Sequence, residues 1–320
     1  MPAEVKAGDA KPVDKPPELS TLTDDPVLGK ASRVNGDEAH GVVAFTFDDG
    51  PNPETTPAVI DALEKYDVPA TFFIITQRLL GKHGEKGREL LARELAGGFL
   101  VGSHSVTHPN LKNASGDTIR REIDQSFRTL AGEANRTIGL FRPPYGALSG
   151  AGRVRLKKLG VTEVIWSIDT LDWRAHNPEK LRKKVLTMIV KQNGGIVLMH
   201  DVKPITAQII ASVLDDLEAE NCQRLADSKD PIVPVSIHYF LRDGKTPRAV
   251  PPEIQKRTDA YKAALPGRCA ARPAKVVAAP PAPPKGGGTK PSFGGDPAKH
   301  EQRVHWDAAC PNDPLAKGCK

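Results

Sequence analysis

The 320-residue chain has no run approaching the roughly 18 consecutive apolar residues a membrane-spanning helix requires. Its opening, MPAEVKAGDAKPVDKPPELS, lacks the apolar core of an export signal. The chain therefore reads either as cytoplasmic or as a form from which such a signal has been removed. No G-x-S-x-G elbow occurs, which argues against a serine hydrolase. The first strand-like run is not followed by a Gly-rich phosphate loop, which argues against a doubly wound nucleotide-binding sheet. Aromatics make up only 5% of the chain, and no basic stripe is interleaved with them. Zinc-finger spacing is also missing, so the net charge of +6 is not the footprint of a nucleic-acid binder. That charge instead favours anionic surroundings, such as an acidic polymer or an envelope surface. Only four cysteines occur, Cys222, Cys269, Cys310 and Cys319, none in a C-x-x-C pair. Four cysteines allow three pairings, and their spacing does not choose among them. Cys310 and Cys319 bracket a short Pro- and Gly-containing loop, which suits a local bridge and an oxidising compartment.

Composition divides the chain in three. Residues 1–37 are polar and aperiodic and read as a leader or linker. Residues 271–320 contain VVAAPPAPPKGGGTKPSFGG, a Pro/Gly-rich tail that resists packing. Between them, over 38–270, short apolar runs alternate with amphipathic stretches. The strand-like runs are GVVAFTF (41–47), ATFFII (70–75), FLVGS (99–103), IGLF (138–141), EVIWSI (163–168), IVLM (196–199) and VPVSIHY (233–239). Helical spacing is plainest over 118–130 and 205–220. Such alternation predicts an α/β fold with a parallel sheet, and about seven units suit a small (β/α) barrel.

In parallel barrels, chemistry collects at the C-terminal ends of the strands. Those positions hold Asp48 and Asp49, then His104 and His108, Arg142 and Tyr145, Asp169, Asp172 and Trp173, and His200. The pair His104 and His108 sits in HSVTHP, a short turn closed by Pro109 and without the Glu of an H-E-x-x-H helix. Two imidazoles and one carboxylate make a three-donor set that leaves a position open for water, as a catalytic zinc requires. In the strand-ending FTFDDGP, one aspartate then turns to the metal while its neighbour faces the water. Trp166 reads as core, His238 as a hydrogen-bonded barrel residue, Asp169 as a turn cap, and Ser103 and Ser105 as orienting neighbours of the histidines.

The stretches TFDDGP, HSVTH, RPPY, DTLDW and LMH resemble, in order, the five motifs of polysaccharide deacetylases, carbohydrate esterase family four. The resemblance covers about residues 40–240 and leaves the tails and the cysteines outside it. It implies a distorted (β/α) barrel lacking a full eighth strand. The implied activity is metal-dependent removal of N-acetyl groups from an N-acetylglucosamine-containing polysaccharide, with O-acetylated polysaccharide such as xylan as runner-up. By position, Asp48 resembles the general base acting on metal-bound water, and Asp49, His104 and His108 resemble the ligands of Zn2+, with Co2+ or Mn2+ as substitutes. Arg142 resembles the group that holds the base, and the backbone N–H of Tyr145 an oxyanion donor. His200 resembles the general acid, with Asp172 raising its pKa, and Trp173 and Leu198 resemble the walls of an acetyl pocket. Cell-envelope peptidoglycan is the first substrate expected, at an extracellular or periplasmic location. A non-catalytic carbohydrate-binding protein on the same barrel is the alternative, and an amidohydrolase for small cyclic amides a third reading.

Overall fold

The computed structural model of the chain describes residues 28–81 and 84–272. The strands of the main sheet are β1 (Val42–Asp48), β2 (Ala70–Ile74), β3 (Leu100–Ser103), β4 (Leu140–Phe141), β5 (Thr162–Glu163), β6 (Ile168–Asp169), β7 (Gly194–His200) and β8 (Val233–Pro234). Seven of them form a path in the order β5-β4-β3-β2-β1-β7-β6, every neighbouring pair parallel. Since β7 runs along one edge of β1 throughout, β8 pairs with Val42 and Val43 on the edge that β2 takes over from Phe45. The crossovers are α1 (Thr56–Lys65), α2 (Gly84–Ala96), α3 (Gly116–Ile119), α4 (Gln125–Ala134), α5 (Gly150–Leu159), α6 (Pro178–Gln192) and α7 (Pro204–Ala226). One π-helical turn, Arg120–Asp124, joins α3 to α4.

Connectivity forces the sheet to curl. Laid flat, its outermost strands β5 and β6 would stand about 29 Å apart, six spacings of about 4.8 Å. Yet only Val164–Ser167 lies between them, and the five Cα steps from Glu163 to Ile168 span at most about 19 Å. The two edges therefore approach each other, and the sheet forms a curled half-barrel. EVIWSI, expected as one strand, is consequently two, because its middle crosses the seam. Val164 bridges to Val34, Ile165 N donates to Val34 O at 2.8 Å, and Ser167 N donates to Ile196 O at 3.1 Å. VPVSIHY is likewise strand only at its start. After Val235 N, which donates to Val43 O, the chain turns into a 3-10 helix at Ile237–Phe240 and tucks Ile237 and Phe240 into the interior.

Strand alternation sorts side chains into two cores. Val43, Phe45 and Phe47 point outward, against the helices, with Phe141, Val197 and Met199 from the neighbouring strands. Ala44, Phe73, Leu140 and Ile196 point inward and pack with Leu28 and Val34. At Gly102 a Cβ would lie 2.6 Å from the inward Phe73 ring, so that position has room only for glycine. Helix α8 (Pro252–Ala271) is bonded to α7 by a Cys222–Cys269 disulfide. Cys310 and Cys319, expected to bridge locally, lie outside the described residues, as does the Pro/Gly-rich tail beyond 272. No helix among the described residues is long and apolar enough to cross a membrane.

Candidate active site

The inward parity of each strand, carried to its C-terminal end, selects the site. Counting on by twos from Ala44 reaches Asp48, from Leu140 reaches Arg142, and from Ile196 reaches Leu198 and His200; His104 stands two beyond Gly102. Asp48 and His200 are direct partners in the parallel register. By alternation alone Asp49 would face outward. It adopts φ 74° instead, and this left-handed turn brings its carboxylate to the same rim. Ser105, His108, Tyr145 and Leu171 also have positive φ just past strand ends, and such concentrations of unfavourable backbone mark functional sites.

The first group is Asp49, His104 and His108, whose donor atoms all lie within 4.8 Å of one another. Asp49 Oδ1 is 3.6 Å from His104 Nε2 and 3.3 Å from His108 Nε2. Tetrahedral ligands at 2.0–2.2 Å from a zinc ion stand about 3.3–3.6 Å apart, so the cluster has the dimensions to hold one. His104 Nδ1 lies 2.7 Å from Arg142 O, a carbonyl that can only accept, so the proton is on Nδ1 and the Nε2 lone pair faces the cluster. The His108 backbone N–H donates to Ser105 Oγ at 2.9 Å, which fixes the turn that carries the second ring. Burial, reinforced by His104, pushes His108 down to about 4 despite the attraction of Asp49, so this imidazole is neutral near pH 7 as a ligand must be. Burial pushes Asp49 up, but His108, His200, His104 and Arg78 outweigh it and hold its carboxyl below the usual range. Asp49 Oδ1 is buried and accepts no hydrogen bond. A buried, ionised oxygen that accepts no hydrogen bond and faces two imidazole nitrogens fits a cation.

The second group is Asp48 with Arg142, both almost wholly buried. Arg142 Nη1 donates to Asp48 Oδ1 and to Thr46 Oγ1, each at 2.7 Å. Its Nε and Nη2 donate to Val164 O and Ile165 O, clamping the seam segment, and the guanidinium lies 4.2 Å over the Phe73 ring. Burial lowers the Arg142 pKa and the Asp48 pair works against that loss. Asp48 Oδ2 is left 3.6 Å from His104 Nε2, on the cluster side.

The third group is His200 with Asp172. His200 Nδ1 is 2.7 Å from Asp172 Oδ1, while His200 N and Thr206 Oγ1 donate to Asp172 Oδ2 at 2.7 and 2.6 Å. Burial acts to lower the His200 pKa, but Asp172, with smaller help from Asp49 and Asp48, raises it to about 9. Asp172 is itself held low: burial pushes it up, and His200 and the three donated bonds prevail. The His200 side chain is 14% exposed, so its far nitrogen is within reach of a ligand.

Around the rim, Tyr145 is exposed and sets its ring edge-on to His108 at 4.7 Å. Trp173 is also exposed, with Arg174 5.6 Å over its ring, whereas Leu198 is buried. Asp169 Oδ1 accepts from Leu171 N at 2.9 Å, Ser236 Oγ pairs with His238 Nδ1 at 2.8 Å, and Trp166 packs against the inner core. Glu122, on the π-helical turn, went unread in the sequence. It is 1% exposed and grips the histidine loop through Val106 N, Thr107 N and Thr107 Oγ1 at 2.9–3.1 Å. A signal existed: Glu122 falls on the apolar face of 118–130, beside Ile119, Ile123 and Ser126.

Fold and site together define a curled parallel α/β half-barrel with a three-donor cluster that could hold a cation at its strand ends, flanked by a buried carboxylate–arginine pair and a carboxylate–imidazole pair. Residues 35–164 match the family model described as polysaccharide deacetylase. A chitooligosaccharide deacetylase of Azorhizobium caulinodans is 33% identical over 56% of this chain and 81% of its own length. The chain belongs to the polysaccharide deacetylase family. The peptidoglycan-N-acetylglucosamine deacetylase PgdA of Listeria monocytogenes is 35% identical over 56% of this chain, which spans only 36% of that relative. Among solved structures, BA3943 of Bacillus anthracis, described as a CE4 family pseudoenzyme, superposes with a TM-score of 0.53 at 25% identity, over 60% of this chain and 66% of that one.

Proposed function

We propose that the protein hydrolyses N-acetyl groups from an N-acetylglucosamine-containing polysaccharide, with the barrel over 38–270 as the catalytic unit. The carrying observation is the unpartnered, buried Asp49 Oδ1 facing His104 and His108. Asp49, His104 and His108 would hold a divalent ion, zinc by the chemistry of the donor set, with cobalt or manganese as substitutes. When bound, such an ion supplies Lewis acidity toward water and toward the acetyl carbonyl.

The chain's own groups divide the proton transfers. Asp48, held in place by the Arg142 guanidinium, takes a proton from the attacking water. The Tyr145 N–H donates to the carbonyl oxygen as negative charge builds there. His200, protonated because of Asp172, delivers its proton to the amide nitrogen as the C–N bond breaks, leaving acetate and a free amine. Trp173 and Leu198 wall the acetyl group. Substrate and compartment follow from the relatives' names and the chemistry. PgdA of Listeria is named for peptidoglycan, the net charge of +6 suits an anionic envelope, and the Cys222–Cys269 bridge suits an oxidising compartment outside the cytoplasm.

The test is acetate release from chitooligosaccharides and from peptidoglycan, abolished by a chelator and restored by zinc. Acetylated xylan in the same panel reads the O-deacetylase runner-up. That a pseudoenzyme shares the fold gives the binding-protein alternative a specific basis. Asp48→Asn decides it: an enzyme loses turnover while keeping zinc and sugar affinity, and a binding protein is unaffected.

A further inference from the structure

The carboxylate that follows His200 has no part in the chemistry above, yet it is among the most enclosed groups in the molecule. Asp201 is 0% exposed. Its Oδ2 accepts from Thr56 Oγ1, and Thr56 Oγ1 accepts in turn from Asn52 N at 2.8 Å. A Cβ added to Gly50 would lie 2.3 and 2.6 Å from the two Asp201 oxygens, so the carboxylate is seated flush on the backbone just after Asp49. From the other side, Gly50 O accepts from Ile75 N at 3.2 Å.

The position of this contact matters. The β1–β7 ladder sets Asp48 opposite His200 and ends there. Asp49, with φ 74°, has already left the strand, so the ladder does not determine where its carboxylate stands. Asp201 is the residue that follows β7, and it rests on Gly50, the residue that follows Asp49 beyond the end of β1. We infer that Asp201 is a positioning residue: with Thr56 it fastens the Asp49–Asn52 turn to the end of β7, and so sets the cation-binding carboxylate in place relative to the base and the acid.

Packing alone is a poor explanation for a carboxylate here. Burial pushes Asp201 up to about 7, against the Thr56 hydrogen bond, and its Oδ1 has no partner. Both features lower stability relative to a neutral side chain of similar shape. Outer hydrogen-bond partners that orient metal-binding side chains are worth about 10–100-fold in metal affinity or activity.

The kinetic arm of the test rests on the deacetylase reading, and the zinc arm does not. On the full chain, zinc affinity is measured by titration calorimetry, kcat and KM by acetate release from a chitooligosaccharide, and folding by thermal unfolding. Thr56→Val is isosteric and removes the hydroxyl. It is expected to lower zinc affinity and kcat by about 10–100-fold with KM within about twofold, and Thr56→Ser to restore both. A lower melting temperature with wild-type zinc affinity and kcat, or no rescue by serine, overturns the proposal. If Thr56→Val does not fold, the Asp201 variants decide. Asp201→Asn keeps an acceptor for Thr56 and should stay within about threefold in zinc affinity, whereas Asp201→Ala should lose about 10–100-fold. Equal behaviour of the two overturns it. A wild type that binds zinc but releases no acetate refutes the deacetylase reading, while the zinc titrations still decide the role of Asp201.

Discussion

Replacing Asp172 by asparagine should move the alkaline limit of the reaction by more than two pH units. His200 carries its proton up to about pH 9 because Asp172 faces Nδ1 at 2.7 Å and overcomes the loss that burial imposes. At pH 8 a group of pKa about 9 is about nine-tenths protonated, against about 3% for an unperturbed imidazole at about 6.5. Asparagine removes the main opposing charge and leaves burial, the largest influence, countered only by the smaller pulls of Asp49 and Asp48, so His200 in Asp172→Asn should titrate near 6.5 or below. The protonated fraction at pH 8 then falls by about 30-fold or more, and the rate falls with it if His200 is the acid. The same shift bears on stability. A histidine whose folded pKa is raised stabilises the fold fully below about 6.5, and that stability is lost as pH rises through about 9. A shift of this size corresponds to about 3 kcal/mol. Two assays check this: the pH profile of acetate release from pH 5.5 to 9.5, and the His200 titration followed directly by imidazole NMR. An alkaline limb unmoved by Asp172→Asn would refute the reasoning, as would a wild-type His200 titrating near 6.5.

Three further outcomes are expected. Glu122→Gln replaces one acceptor of the histidine-loop clamp by a donor facing donors, and zinc affinity by calorimetry should fall about 10–100-fold without loss of fold. Glu94 is 0% exposed with neither oxygen partnered, and burial, helped by Asp201, raises its pKa well above the ordinary value. Its contribution to stability is present below about pH 4.5 and is lost as pH rises toward that folded pKa. Glu94→Leu should therefore stabilise by about 1–3 kcal/mol, with a gain in melting temperature that grows between pH 5 and 8. Replacing both Cys222 and Cys269 by serine opens a loop closed across 47 residues and should lower unfolding free energy by up to about 4 kcal/mol in denaturant titrations.

Most strand positions could be read from local pattern. GVVAFTF reads as a nearly continuous apolar run because Val43, Phe45 and Phe47 meet helices while Ala44 meets the inner core, and a parallel strand covered on both faces has that look. EVIWSI misled for a reason local pattern does not contain: all six residues suit a strand, but the middle four must span the seam between the two sheet edges. Glu122 and Asp201 escaped because each acts through a backbone it meets only after folding, the histidine loop in one case and Gly50 in the other. The histidine pair was easier, since four residues on one turn already bring two rings to 4.9 Å.

Side-chain chemistry and element type were thus inherent in the order of residues. Apolar periodicity is a property of neighbours, and the Asp, His and Arg types stand where short-range pattern ends. Which cysteines meet, the left-handed turn that carries the Asp49 carboxylate to the rim, and the bond that Arg142 makes to Asp48 from 94 residues away belonged to the folded chain alone. Those relations depend on sheet register and curl, and the forces that set them act between segments no stretch of sequence holds together.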